Sequence, residues 1–450
     1  MSFESEFKSL VDVAVGQGLK AFASDIDADW VKQAIEQHCP VSLRRRKLPA
    51  ESVVWLVVGM ALLRDHSIAE VVRRLDLVVS KSADVKGTVV NGALPKARAR
   101  IGDEVLKEIF TLSASHWSHD HASKDRWHGL SIYAMDGTSI SVPDTEENRT
   151  AFHLPATGRG QSGYPKARLV ALMSARSHMI VDAVIGSFKG KGSAEPILAR
   201  SLWGKVPENS LLIVDRNFID YAELYRFNHH QTDRHWLLRM KKNLVSETIC
   251  ELGEGDELAE VPIRPNHRSK DPSLPATMRV RIVHYQFDGT PQRLMTSLLD
   301  PKRWPADEVI AMYHERWEIE IAFDELKTNM LERKESLRST TPTAIRQEIW
   351  GILLGYNLIR HRMALAARKL NIEPRSMSFV YSLRLIRAFL IVTAWDGSPA
   401  NIPRYLETLD KELESATLPA RRTKRRYERH VKVKMSGYKR NPGRPPSLTG

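Results

Sequence analysis

Cysteine is almost absent. Cys39 and Cys250 are the two in 450 residues, and no CxxC pair exists. That excludes a thiolate zinc site and a disulfide framework, and makes a reducing cytosol the expected setting. Long apolar runs are lacking as well. The longest, 52–63 (SVVWLVVGMALL), stops at Arg64, short of the ~20 residues a membrane-spanning helix needs, so it predicts a buried helix and no membrane partner. The opening MSFESEFKSL mixes acid and base instead of running basic then apolar, so no signal peptide is expected and the protein is placed in the cytoplasm. Nucleotide and acyl-transfer signatures are missing too: 186–192 (GSFKGKG) is not a Walker loop, and no GxSxG elbow occurs. His116, His119, His121 and His128 cluster without a Cys or Glu at a familiar ligand spacing, so zinc is not expected.

What is there is the composition of an ordinary globular protein, 42% hydrophobic and 27% charged, which excludes wholesale disorder and collagen. At roughly 100 to 200 residues per domain, the length allows about two to four structural units. The net charge of +13 is unevenly spread: 419–450 holds eleven Lys and Arg against Glu428, or 11 − 1 = +10, leaving 13 − 10 = +3 for the rest. A nearly neutral body with a basic, Pro/Gly-containing tail fits a disordered segment that neutralises nucleic-acid phosphates. A merely solubilising tail is the blander reading. Membrane adhesion lacks an amphipathic aromatic face or a lipidation motif to support it.

Helical spacing governs residues 1–125. Apolar residues recur at three and four in 48–63, 68–77 and 101–110, with Pro49 in a first turn and Ser67 placed to cap the second helix. The stretch 81–90 is polar and loop-like. In 94–100 (LPKARAR), Lys96, Arg98 and Arg100 put cations on successive turns. Two readings stand: a recognition helix for the major groove, or a solvated basic face. The knot Arg44-Arg45-Arg46-Lys47 divides likewise between phosphate contact and surface loop. From Leu130 the period becomes two, predicting a strand pair that bends at Gly137 beside Asp136. Further strands are expected at 168–175, 179–185, 211–214 and 235–240, with a helix at 195–203 and a loop near DNA at 158–163. Asp288-Gly289 joins 278–287 to 293–298 as a hairpin. Helices return at 306–330, 345–366 and 377–392. The mixture predicts a mixed α/β catalytic domain.

Asp136 interrupts a half-buried strand pattern, and Asp215 closes the apolar strand 211–214. A buried carboxylate is costly unless compensated, so both are candidate ligands for a hard cation such as Mg²⁺. For either alone, an Asp capping the next turn is the alternative. In Tyr313-x2-Arg316-x3-Glu320-x6-Lys327 the offsets 3, 7 and 14 put four functional groups on one stripe at about 100° per residue. Ile319, Phe323, Leu326 and Met330 form the adjacent apolar stripe, which would bury the helix and aim the polar one across a cleft. A solvated ion-pair face is the alternative, and periodicity does not choose Glu320 over Asp324.

These residues resemble the insertion element 4 family of bacterial DDE transposases over nearly the whole chain. Leu43-Arg-Arg-Arg-Lys-Leu-Pro49 and Val54-Trp55 through Gly59-Met-Ala-Leu62 are similar to that family's N-terminal region. Ala134-Met-Asp136-Gly-Thr138 with Pro143-Asp-Thr-Glu-Glu-Asn148 resembles its first acidic motif, and Val214-Asp215-Arg216 its second. Tyr313-His-Glu-Arg-Trp-Glu-Ile-Glu320 with Lys327 resembles its signature on the third-acid helix, and Leu353-Leu-Gly-Tyr-Asn-Leu-Ile-Arg360 the segment that follows.

The resemblance implies an RNase H-like catalytic domain with a β-rich insertion, preceded by a helical N-terminal DNA-binding domain and followed by a basic tail. The expected divisions are 1–125, 126–242, 243–305 (the insertion), 306–400 and 401–450. The spacings, 215 − 136 = 79 and 320 − 215 = 105 residues, leave room for the insertion. Asp136, Asp215 and Glu320 would hold two Mg²⁺ ions, with Mn²⁺ as substitute, while Tyr313, Arg316 and Lys327 grip phosphates of double-stranded DNA. The implied enzyme cuts at the terminal inverted repeats of its own element and joins the freed 3′ ends to target DNA. It would act as a homodimer at the bacterial nucleoid. Rival readings are a non-catalytic repressor derivative and a nuclease that cleaves without joining. Relatives that work through a DNA hairpin stack a flipped base on a tryptophan of the insertion strand. The matching stretch, Gln292-Arg-Leu-Met-Thr296, has none, which leaves Trp304 and Trp236 as substitutes or, on the other reading, packing residues.

Overall fold

Asp27 opens α1 (Ala28–His38) by accepting a hydrogen bond from the Asp29 amide at 2.9 Å. α2 (Ala50–Leu62) follows Pro49, and every residue from Ser52 to Leu62 is buried, so the longest apolar run is an interior helix. α3 (Ile68–Arg74) starts with a capping box: Ser67 Oγ accepts from the Glu70 amide (3.2 Å) and Glu70 accepts from the Ser67 amide (3.0 Å). α4 (Ala93–Ile101) stops at Gly102, whose φ of +67° lies in the left-handed region that favours glycine. α5 (Glu104–Ala122) begins two residues later. The helix expected over 101–110 is therefore split, because the apolar spacing carries across the break.

These coordinates come from a computed structural model that describes residues 22, 25–39, 48–75, 92–122, 126–157, 160–161, 163–229, 233–241, 243–332, 336–396 and 398–419. By contacts the chain divides into Met1–Thr417 and Leu418–Gly450. The basic tail beyond 419, the knot at 44–47 and the loop at 81–90 lie outside the described residues. Among those described, no helix is long and apolar enough to cross a membrane.

β1 (Leu130–Ser141) is one unbroken twelve-residue strand rather than the expected bent pair. Gly137 serves clearance instead: a Cβ there would meet the Glu195 side chain at 2.4 Å. Thr145 caps α6 (Glu146–Phe152) after it. β2 (Lys166–Ser174), β3 (Ile180–Ser187), β4 (Ser210–Val214), α7 (Tyr221–His229) and β5 (Arg234–Arg239) follow. The insertion supplies β6 (Glu247–Gly253), β7 (Asp256–Pro262), β8 (Thr277–Phe287) and β9 (Thr290–Thr296). All nine lie in one sheet in the order β3-β2-β1-β4-β5-β9-β8-β7-β6. β1, β4 and β5 run parallel, and every other pairing along this path is antiparallel. The insertion thus extends the catalytic sheet through β9 on β5, with Leu294 opposite Arg239. The Asp288-Gly289 hairpin forms with both φ positive, 51° and 71°.

The chain then returns to helices: α8 (Ala306–His314), α9 (Trp317–Asp324), a π turn (Glu325–Met330), α10 (Pro342–Lys369), α11 (Phe379–Asp396) and α12 (Ile402–Glu414). The single helix expected over 306–330 is broken at Glu315-Arg316 and widens after Asp324. The expected tail boundary at 401 is also corrected, because α12 packs Leu409 and Leu413 into the interior. One apolar core unites α2, α4, α5, one face of β1 to β3, α9, α10 and α11. Each fully buried aliphatic side chain there contributes about 1.5 to 3 kcal/mol. The N-terminal helices therefore hold their shape by packing on the C-terminal ones.

Candidate active site

β1 and β4 lie side by side and parallel, with Met135 opposite Val214. The next residue along each is an aspartate, so Asp136 and Asp215 emerge together at the carboxyl end of the strand pair. Asp136 Oδ1 accepts the Gly137 amide at 2.7 Å, and Asp215 Oδ1 accepts the Arg216 amide at 2.6 Å. Both are half-buried. Burial pushes the Asp136 carboxyl up to about 6; the Gly137 hydrogen bond and Arg316 oppose this, while Asp215 and Glu195 add to it.

Arg316 joins the third acid to the first. Its guanidinium lies 3.6 Å from Asp136 Oδ2 and 2.8 Å from Glu320 Oε1, and it rests on Trp317 at 5.2 Å from the ring centroid. Burial raises the Tyr313 hydroxyl pKa, moderated by Arg316 and reinforced by Asp215. Burial lowers the Lys327 ammonium, as does Lys166, against the pull of Asp324 and Asp136. Tyr313, Arg316, Glu320 and Lys327 thus surround the aspartates, although the helix carrying them is not continuous. Asp324 faces outward and accepts from Thr328 Oγ1 at 2.6 Å.

Two participants carry no motif. Glu195, the first residue of a one-turn helix, reaches over Gly137, 3.8 Å from Arg168, and the Lys166 charge acts on Lys327. Gly137 was the single hint for Glu195. No signal marked Lys166.

Among the described residues, no three His, Cys, Asp or Glu side chains converge closely enough to hold a metal as they stand, and the Arg316 guanidinium lies between Asp136 and Glu320. The donor set is nonetheless all carboxylate oxygen, which suits a hard divalent cation. A cation there would also offset the burial that holds Asp136 high.

The helix expected to read bases is corrected at Arg98. That side chain is 5% exposed and donates to Gln347 Oε1 (2.7 Å), Ser339 Oγ (2.9 Å) and the Ala344 carbonyl (3.0 Å), which locks α4 onto α10. Arg100 is half-buried and donates to the Leu48 carbonyl at 2.8 Å, whereas Lys96 is exposed. Trp236 and Trp304 are buried, as packing residues. His116 packs against Trp30 and His128 pairs with Glu308 at 2.7 Å.

A sheet ordered β3-β2-β1-β4-β5 with a covering helix is an RNase H-like arrangement, and the transposase DDE domain family matches residues 127–358. The insertion element 4 transposase N-terminal family matches residues 17–111. The chain belongs to the insertion element 4 transposases. The transposase InsG for insertion sequence element IS4 of Escherichia coli strain K12 is 32% identical over 431 residues, 96% of each chain. The putative transposase InsZ of the same strain is 33% identical over 247 residues, covering 55% of this chain and 79% of the relative. Among solved structures, the piggyBac transposase synaptic complex with hairpin DNA aligns with 90% of this chain and 86% of its own, at a TM-score of 0.42 and 11% identity. The protein is accordingly an insertion-sequence transposase that cleaves DNA, transfers strands and depends on a divalent metal. The reading as a nuclease outside the transposases gives way to that membership.

Proposed function

We propose that Asp136, Asp215 and Glu320 are the catalytic carboxylates and hold two Mg²⁺ ions, replaceable by Mn²⁺, at the ends of the element. Cations bound there would activate a water or DNA 3′-hydroxyl and stabilise the leaving oxygen of an in-line displacement at phosphorus. The two aspartates fix the reacting centre to a rigid strand pair, and Glu320 approaches it from α9. Tyr313, Arg316 and Lys327 hold the adjoining phosphates through charge-assisted hydrogen bonds that require no base sequence. Lys96 and the tail add phosphate contacts, and two copies bring two ends together on nucleoid DNA. The observation that carries the reading is the side-by-side exit of Asp136 and Asp215, with Arg316 tying Asp136 to Glu320.

Replacing Asp136, Asp215 or Glu320 by Ala should abolish cleavage of a labelled transposon end in Mg²⁺ while end binding survives. Asp324→Ala should stay near the parental rate. A dead Asp324→Ala beside an active Glu320→Ala would transfer the third position to Asp324.

A further inference from the structure

Three further acids, Glu315, Glu318 and Glu325, turn away from solvent. Glu315 takes two hydrogen bonds from Arg176, at 3.1 and 3.2 Å. Glu318 is 6% exposed and meets His178 Nε2 at 2.7 Å. Glu325 is paired with Arg360, and the Tyr356 hydroxyl donates to it at 3.0 Å. Arg360 also directs Nη2 to His178 Nδ1 (2.7 Å) and Nε to the Tyr356 oxygen (3.2 Å). Arginine only donates, so Nδ1 is assigned as the acceptor and Nε2 as the proton carrier toward Glu318.

One buried cluster therefore ties three elements together: the β2–β3 turn through Arg176 and His178, the third-acid helix through Glu315, Glu318 and Glu325, and α10 through Tyr356 and Arg360. Glu325 lies five residues after Glu320. Five steps of about 100° come to roughly 140° around the helix, so the two carboxylates face nearly opposite ways. One looks toward Asp136 and the other into α10. The helix changes type at Glu325, where the Leu331 amide reaches back to the Leu326 carbonyl at 2.9 Å. π turns are rare and are frequently found at functional sites. Burial would raise the Glu325 carboxyl, but the Arg360 charge and the hydrogen bond Arg360 donates hold it below the usual carboxylate range. A buried ion pair is a weak source of net stability compared with apolar packing, and its better-attested use is to fix register.

We propose that Glu325, gripped by Arg360 and Tyr356, is the positioning residue of the third-acid helix, setting that helix's rotation and depth against the sheet and so the placement of Glu320 and Lys327 opposite Asp136. The inference rests on Glu320 belonging to the catalytic site.

The test measures the dissociation constant for a transposon-end duplex and, separately, the single-turnover cleavage rate at saturating duplex in Mg²⁺. It uses full-length Glu325→Gln, Arg360→Lys, Tyr356→Phe and Glu320→Gln, each checked for folding by circular dichroism. Arg360→Lys keeps the buried charge but loses the fork that spans Glu325, His178 and Tyr356. With end affinity within about twofold of the parent, Glu325→Gln and Arg360→Lys should cleave at least about tenfold more slowly, and Tyr356→Phe about threefold, because small displacements of reacting groups are costly in rate. Should Glu325→Gln fail to fold, Arg360→Lys and Tyr356→Phe decide. Parental cleavage by the folded variants alongside a dead Glu320→Gln would overturn the positioning role alone. Parental cleavage by Glu320→Gln would overturn the site assignment, and the positioning role with it.

Discussion

Arg316 spans two carboxylates that belong to different elements, with Nη1 3.6 Å from Asp136 on β1 and Nη2 2.8 Å from Glu320 on α9. Its Nε is buried without a hydrogen-bond partner. Lysine keeps the charge at that position but concentrates it at one point, so it can serve one partner and not the fork. Arg316→Lys should therefore lower single-turnover cleavage at saturating DNA by about tenfold or more, while end binding weakens less. A parental rate would reduce the stripe to an ordinary ion-pair face. Asp136 and Asp215 were legible because an acid stands out in an apolar strand. Periodicity does not separate Glu320 from Asp324, since both lie near one stripe; their partners, Arg316 for Glu320 and Thr328 for Asp324, support the proposed choice of Glu320. Arg98 was misread for a related reason. Cation spacing along a helix does not tell inside from outside, and the groups that satisfy Arg98 lie at Ser339, Ala344 and Gln347, far along the chain.

The strands of the catalytic sheet were legible as elements, since period-two or wholly apolar runs bounded by turns leave few alternatives. Where the insertion would dock was not, because β9 meets β5 across more than fifty residues of intervening chain. The third-acid helix was misread in its continuity. Residues 306–330 contain neither Gly nor Pro to mark an interruption, and the π turn coincides with Glu325 reaching buried partners on α10. That helix crosses α2 closely: a Cβ on Gly351 would lie 2.4 Å from Val57 Cγ1 and 3.1 Å from the Val57 carbonyl oxygen. Gly351→Ala gains about 1 kcal/mol of helix propensity, but overpacking a stiff β-branched side chain and a backbone oxygen costs about 1 to 3 kcal/mol, so net destabilisation is expected. Four residues on, a Cβ at Gly355 would find only ordinary contacts of 3.5 to 3.6 Å. Gly355→Ala should be neutral or stabilising by up to about 1 kcal/mol. Chemical denaturation of the two variants checks this, and the reverse ranking would refute the tight crossing.

At the scale of the whole molecule, the N-terminal helices of 1–125 share an interior with the helices of the catalytic part, since α2, α4 and α5 bury their apolar faces in the same core as α9, α10 and α11. Periodicity reports which face of a helix is apolar and is silent on what covers it. The unequal charge distribution was legible, because it is additive along the chain: 419–450 carries +10 and the remainder +3. These two facts predict opposite responses to truncation. Removing 1–125 would strip one side of α10 and expose its apolar residues, so the remaining chain should fail to fold as an active unit. Removing 420–450 leaves every residue of the catalytic site and its core in place, and takes away a block of cations. Each phosphate-neutralising cation contributes roughly 0.9 to the slope of log affinity against log salt concentration, whatever the DNA sequence. The tail-less protein should therefore bind element ends and random duplexes more weakly by similar factors, show a flatter salt dependence on both, and cleave at the parental single-turnover rate once DNA is saturating. Titrations on the two duplexes over a range of salt, run beside the cleavage assay, decide the matter. A loss confined to the element's own ends, with random-duplex affinity and its salt slope unchanged, would make the tail a reader of sequence and not a phosphate clamp.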